Sequence, residues 1–340
     1  MTDREHDQNP SPADRAPASP DAGAAERRTR AGHRARDERD RFAGCLLGLA
    51  VGDALGAQVE FMARGTFPPV TDMVGGGPHQ LPAGAWTDDT SMALCLAESL
   101  LECRGFDARD QMNRYLKWLN EGYLSSTGRC FDIGRTTLRA LRFYESGGSP
   151  FAGSTGGRTA GNGSLMRLAP VAMAYYPDRD KVIEMCGESS RTTHGAAACV
   201  DACRLFGGIL WKALNGADKE SVMVWSDDDP DLALREPRLR AIAEATYRAS
   251  ELGEIRGSGY VVDCLEAAMW CFASTESFEE AVLAAVNLGD DADTTGAVCG
   301  MVAGAYWGLS CIPAQWNQYL AQLKLLRKFA DDLHASCWED

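Results

Sequence analysis

From Arg41 onward the chain repeats apolar residues at the spacing of one helix face. Phe42, Cys45, Leu46 and Leu49 share a side early on, and Ala281, Ala284, Ala285 and Leu288 share one late in the chain. Strict alternation of apolar and polar positions, the mark of a half-buried strand, is scarce. The stretch SFEE at 277–280 has the Ser-x-x-Glu form of a capping box ahead of AVLAAVNL, which marks a helix start. The pattern predicts roughly ten to thirteen helices. The expected fold is all-α, a single compact helical domain over residues 39–335.

Three long glycine-rich connections interrupt the helices, at residues 63–85, 121–132 and 147–163. Connections of this length inside a compact domain are usually functional, so ligand contacts are expected on them. The acidic run at 227–231 reads as a solvated linker.

Two segments carry glycine at every fourth position: Gly44, Gly48, Gly52 and Gly56, then Gly296, Gly300, Gly304 and Gly308. Each glycine inside a helix costs about 1 kcal/mol relative to alanine. A stripe of four needs compensation, and close approach of two backbones supplies it. The two helices are expected to pack directly on each other. In an antiparallel arrangement GDALG at 52–56 lies beside Asp293 and Thr294.

Composition changes the picture at the N-terminus. Residues 1–38 hold four prolines between Pro10 and Pro20, many small residues and almost no large apolar side chains. Such a segment cannot offset its ordering entropy and is expected to be a disordered arm. Its Arg27, Arg28, Arg30, Arg34 and Arg36 suit either a solvated tail or contact with an acidic partner.

The net charge of -14 over 340 residues excludes a duplex nucleic-acid binder and gives no reason for an anionic membrane partner. MTDREHDQNP is charged from its third residue with no apolar run behind it, so no secretory signal is read and a cytoplasmic location is expected. The twelve cysteines sit in apolar helical stretches such as MALCLAESLLEC, with no C-x-x-C pair, and read as reduced core residues. Ala297 to Ile312 is too short and too rich in glycine for a membrane span and reads as a buried helix.

Candidate chemistry concentrates in TDDT at 87–90 and DADTT at 291–295. Either alone reads as a helix start, since Thr87 can cap a helix and aspartates in a first turn favour its dipole. Together, Asp88, Asp89, Asp291 and Asp293 with threonine hydroxyls supply the hard oxygen ligands that Mg²⁺ or Mn²⁺ prefers. Four carboxylates balance two divalent cations. Soft-metal sites are disfavoured, because none of the five histidines is paired at ligand spacing. An EF-hand is rejected, since Val302 stands where the loop requires a bidentate glutamate. The D-x-D-x-T nucleophile motif of haloacid-dehalogenase-type phosphatases is rejected too, because it follows a buried strand and here the residues follow a helix.

Read together, GLAVGDALGAQVEF, AWTDDTSMAL, AGNGSLMR, RTTH, GYVVD and NLGDDADTTGAVCGMVAGAYWG resemble the ADP-ribosylglycohydrolases, most closely the arginine-specific type that reactivates dinitrogenase reductase. The likeness runs in consistent order from about Arg41 to about Leu320. It implies an orthogonal all-α fold with two Mg²⁺ or Mn²⁺ in a cleft, cleaving the bond between ADP-ribose and a protein side chain. Thr87, Asp88, Asp89, Asp291, Asp293 and Thr294 match the family's metal ligands. Glu60 matches a flap glutamate with an acid/base or metal-water role. Gly161, Asn162, Gly163 and Ser164 precede the helix LMRLAPVAMAYY, where their amides suit either a phosphate or ribose at a helix N-terminus or a simple turn with a serine cap. His194 matches a family histidine near the pyrophosphate or adenine side. Asp132 matches a carboxylate that meets the guanidinium of modified arginine, with Tyr260 on the same side.

Two departures concern the protein substrate more than the chemistry: RTTHGAA lacks a second histidine, and Asp290 replaces a glycine. The implied activity is release of ADP-ribose from arginine on a protein, with Glu60, Asp132 and Asp291 catalytic. Alternatives are another ADP-ribosyl linkage, a metal-dependent phosphatase, a scaffold without catalysis, and an immunity protein that also blocks an ADP-ribosylating toxin through residues 1–40.

Overall fold

A computed structural model describes residues 20–225, 232 and 234–336, with side chains from residue 37. Residues 1–19 of the expected arm, and with them much of the segment expected to meet a toxin, lie outside the described residues, as does the acidic run at 227–231. The chain divides into two units, one ending at Asp37 and one starting at Glu38. In the first, the described backbone is helical from Pro20.

Fourteen α-helices occur among the described residues, and pairing between extended segments is limited to three isolated bridges. In chain order they are α1 (Pro20–Gly56), α2 (Asp88–Cys103), α3 (Ala108–Glu121), α4 (Arg135–Glu145), α5 (Ala169–Ala174), α6 (Arg179–Arg191) and α7 (Ala197–Leu214). There follow α8 (Lys219–Met223), α9 (Pro237–Ala243), α10 (Val261–Ala273), α11 (Phe278–Val286), α12 (Ala292–Trp307), α13 (Ala314–Tyr319) and α14 (Leu323–Ala335). The count exceeds the expected range because α5, α8, α9 and α13 span at most about two turns, too few to show a period. The helix start read from SFEE is present: Ser277 caps α11 by accepting from the Glu280 amide at 3.2 Å. The Glu280 carboxylate reaches back to the Glu276 amide instead of closing the box on Ser277.

Helix α12 forms the centre of the second unit. Every residue from Ala292 to Ala305 is buried, and α2, α7, α10 and α11 all pack on it. Its glycine stripe meets that of α1 in antiparallel order: Gly44 against Gly304, Gly48 against Gly300, Gly52 against Gly296, and Gly56 against Ala292 and Asp293. A Cβ on Gly296 would lie 2.6 Å from the Gly52 carbonyl oxygen, where ordinary carbon contacts need about 3.5–4.0 Å. The backbones thus touch, and the end of α1 is fixed beside the first turn of α12.

The candidate active site

Where these two helices converge, a third element joins them. Asp53, on the last turn of α1, is fully buried and caps α2 from outside. Its Oδ1 accepts from the Thr87 amide at 2.8 Å and hydroxyl at 2.9 Å, and its Oδ2 from the Thr90 amide at 3.0 Å and hydroxyl at 2.6 Å. Thr87 occupies the N-cap position but makes no capping bond of its own. The task that would explain a polar helix start is therefore done by Asp53, and Asp88 and Asp89 are left for another purpose.

The two acidic clusters meet. Thr87 Oγ1 lies 3.3 Å from Asp293 Oδ2, and Thr294 Oγ1 donates to Asp89 Oδ1 at 3.3 Å. Asp53, Asp89 and Asp293 offer oxygens within 4.8 Å of one another. A carboxylate has about four lone-pair sites, and the four bonds to Asp53 fill them. Asp89 Oδ2 and Asp293 Oδ1, by contrast, are buried with no partner at all. Buried polar atoms are almost always satisfied, and oxygen-only donors without a balancing side-chain cation fit a hard divalent metal. Asp89 and Asp293 could hold it, with Asp88, Asp291 and Thr294 at the cleft wall and Thr87 beside them as the further oxygen donors.

Burial and mutual repulsion show the same need. Burial first, then Asp132 and Asp53, pushes Asp88 well above the usual carboxylate range, and burial with Asp53 and Asp88 does so for Asp89. Burial with Asp89 and Glu60 raises Asp293 likewise. Glu60 is pushed up to about 9 by burial, Asp132 and Asp291, and Asp53 to about 6 by burial against its four hydrogen bonds. A carboxylate with a raised folded value takes up protons on folding, so its stabilisation is present at low pH and lost as pH rises through that value. His194, pushed down to about 3 by burial and then by Arg167, acts in the opposite sense only below its ordinary value of 6.5. Between pH 7 and 8 the carboxylates decide the sign. The melting temperature of metal-free protein is expected to fall across that interval, and saturating Mg²⁺ to flatten the fall. A melt in chelator that stays level or rises would contradict the crowding.

A cleft of about 530 Å³ opens over this centre. Glu60, Asp88, Asp132, Asp291, Asp293, Thr294, Gly161, Asn162, Gly163 and His194 line it, with Thr87 and Asp89 buried behind. Glu60 arrives because the chain after it is tied to the start of α12: Phe61 N donates to Asp290 O at 2.7 Å, and Asp290 N to Met62 O at 2.8 Å. Phe61, Asp132 and Asp290 all have left-handed backbones, with φ of 63°, 60° and 55°. That explains the glycine expected at 290, and aspartate is among the few other residues that tolerate the conformation. Asn162 Nδ2 donates to Asp291 Oδ2 at 2.9 Å and fixes that carboxylate.

Three expectations for the loop need correction. Residues 161–164 do not sit at the N-terminus of a long helix. The chain turns through Leu168 and α5 starts only at Ala169, where Pro170 fits the first turn. Ser164 does not line the cleft: its hydroxyl is buried and accepts from Ser190 at 2.8 Å. Tyr260 does not line it either, being the N-cap of α10 with its ring against the core. Gly259 stands in its place at the wall. Arg167 was not anticipated. It is fully buried over the Tyr115 ring and donates to Gly163 O at 3.0 Å and Thr193 Oγ1 at 2.7 Å. Thr193 Oγ1 in turn lies 2.9 Å from His194 Nδ1, so Arg167 ties the loop to the histidine.

Comparison with known proteins decides the family. The ADP-ribosylglycohydrolase family profile matches residues 34–340. The chain belongs to the ADP-ribosylglycohydrolase family. Within that family it is 42% identical over 294 residues to ADP-ribosylarginine hydrolase Tri1 of Pseudomonas putida (strain GB-1), covering 86% of this chain and 78% of that protein. It is 34% identical to the ADP-ribosyl-[dinitrogen reductase] glycohydrolase of Rhodospirillum rubrum, over 82% of this chain and 89% of that one. A solved structure described as an ADP-ribosylglycohydrolase-related protein complex superimposes with a TM-score of 0.79 at 46% identity, covering 89% of this chain and 99% of that chain. The chain is accordingly a glycohydrolase of this family with the family's all-α fold. No helix among the described residues is long and apolar enough to cross a membrane.

Proposed function

We propose that the protein removes ADP-ribose from modified arginine side chains of another protein, using two Mg²⁺ or Mn²⁺ held by the converged aspartates. The observation that carries this reading is the pair of orphaned oxygens, Asp89 Oδ2 and Asp293 Oδ1, beneath a cleft that also presents Asp132. The arginine-linked relative supports the choice of linkage. Bound divalent ions supply Lewis-acid charge that holds ribose hydroxyls and eases deprotonation of water.

The chain's own residues do the rest. Asp132, at the cleft wall, accepts the two parallel N–H groups of a guanidinium, the natural bidentate partner of a carboxylate. Glu60, raised by burial and its carboxylate neighbours in the metal-free protein, would be ionised once divalent charge offsets them, and then takes the proton of the attacking water and returns it to the leaving guanidino nitrogen. One carbon–nitrogen bond breaks at the anomeric carbon, one carbon–oxygen bond forms, and the transition state has oxocarbenium character. Asn162 keeps Asp291 aimed at the centre. His194, neutral at physiological pH, and the 161–163 loop form the wall for the pyrophosphate.

Incubation with arginine-ADP-ribosylated protein and Mg²⁺ should release intact ADP-ribose, identified by mass. Asp132→Asn should raise KM for the arginine-linked substrate about tenfold or more, the scale of a lost charged hydrogen bond, and leave a serine-linked one unaffected. Unchanged arginine-linked turnover in that variant would overturn the assignment of linkage.

A further inference from the structure

At the rim of the cleft three potential ligands from separate segments approach one another. His79 Nε2, on the 63–85 connection, lies 3.4 Å from Glu60 Oε2 and 3.2 Å from Asp132 Oδ1. All three residues offer a ligand atom within 4.8 Å of the others. These are ion-pair distances for a protonated His79, although no hydrogen bond of good geometry reaches His79 Nε2 or Glu60 Oε2. Glu60 is 3% exposed, so its orphaned oxygen cannot turn to solvent instead. Ligand atoms about 2.1 Å from a tetrahedral ion stand about 3.4 Å apart, which is close to the spacing here. The two separations to His79 match that spacing, and the third lies within 4.8 Å.

We propose that Glu60, His79 and Asp132 form a separate, inhibitory site for Zn²⁺ at the mouth of the cleft. Donor chemistry separates this site from the aspartate centre. An all-oxygen set suits Mg²⁺ or Mn²⁺, whereas an imidazole with two carboxylates suits zinc. His79 borders a neighbouring cavity of about 520 Å³ and keeps 24% of its side chain exposed, which gives the ion a path from solvent and room for a water as fourth ligand. The Phe131 ring, 5.2 Å from the imidazole, holds its orientation from one side. Occupation pins the 63–85 connection against Asp132 and withdraws Asp132 and Glu60 from substrate. Zinc binding stands independently of the proposed activity; only the inhibition rests on it.

Among the described residues the exposed thiols Cys103 and Cys311 would also take zinc, so the full chain is tested with these and Cys337 changed to serine. Calorimetric titration of the Mg²⁺-saturated protein with ZnCl₂ should show a zinc site that His79→Ala weakens at least tenfold and His79→Cys restores. Hydrolysis should be inhibited over the same zinc range, and His79→Ala should need at least tenfold more zinc for half-inhibition of its own zinc-free rate. Unchanged zinc affinity in His79→Ala overturns the site. A His79-dependent site that leaves hydrolysis untouched overturns the inhibition alone. Absence of any hydrolysis, with His79-dependent binding intact, would count against the proposed function and not against the site.

Discussion

Replacing Asp293 with asparagine is expected to lower kcat/KM on arginine-ADP-ribosylated protein about a thousandfold or more. Loss of ion-supplied charge stabilisation is worth several kcal/mol, and each 1.36 kcal/mol is about a tenfold change in rate. The same change is expected to raise the melting temperature of the metal-free protein. Asp293 is buried with one oxygen unpartnered, so in the absence of metal its charge repels Asp89 and Glu60 with only one long hydrogen bond, from the Thr87 hydroxyl, to offset this. A residue kept for architecture would behave in the opposite way, losing stability when changed and sparing the rate. Steady-state kinetics and thermal melts in chelator read both effects. Preserved turnover, or a lower metal-free melting temperature together with normal turnover, would remove Asp293 from the site.

Valine at Gly300 is expected to abolish folding. The Gly48 carbonyl oxygen already occupies the space that a Cβ would need, and it belongs to a helix backbone that cannot step aside. Overpacking and backbone displacement at such a crossing place the cost in the exceptional class of about 4 kcal/mol or more, against a total stability of about 5–15 kcal/mol. Gly253 has open space around its Cβ position and an unstrained backbone, so Gly253→Ala should leave the protein soluble and its melting temperature unchanged within a few degrees. Soluble yield and melting curves of the two variants decide the matter. A well-folded Gly300→Val protein melting within about 5 °C of the parent would mean that α1 and α12 do not touch at that point.

The glycine stripes made the central contact of this fold legible from the sequence. A stripe of residues without side chains has few uses inside two helices other than contact with another backbone, whereas the antiparallel order came only from the structure. The meeting of TDDT with DADT was expected from the ligand chemistry of the four aspartates and from the family resemblance, not from this contact. Residues whose roles depend on segments meeting in space were harder to see. Asp53 lies within GDALG, already expected beside Asp293, but nothing in its neighbours reveals that it caps α2 across the interface. His79 stands alone in a 23-residue connection, and ligand spacing along the chain cannot register a cluster assembled from residues 60, 79 and 132. The misplaced helix start at 164 has a local cause. LMRLAPVAMAYY has helical composition throughout, but Pro170 favours a first turn and so moves the start of α5 past Leu168.

The central claim is that Thr87, Asp88, Asp89, Asp291, Asp293 and Thr294, drawn from two ends of the chain, hold divalent cations between them. Anomalous diffraction from crystals soaked in MnCl₂, collected at the manganese edge, tests it most directly. The account predicts two strong peaks between the first turns of α2 and α12, each within coordination distance of at least one carboxylate from either cluster. Full occupancy of manganese elsewhere in the crystal, with no density between those two turns, would contradict it.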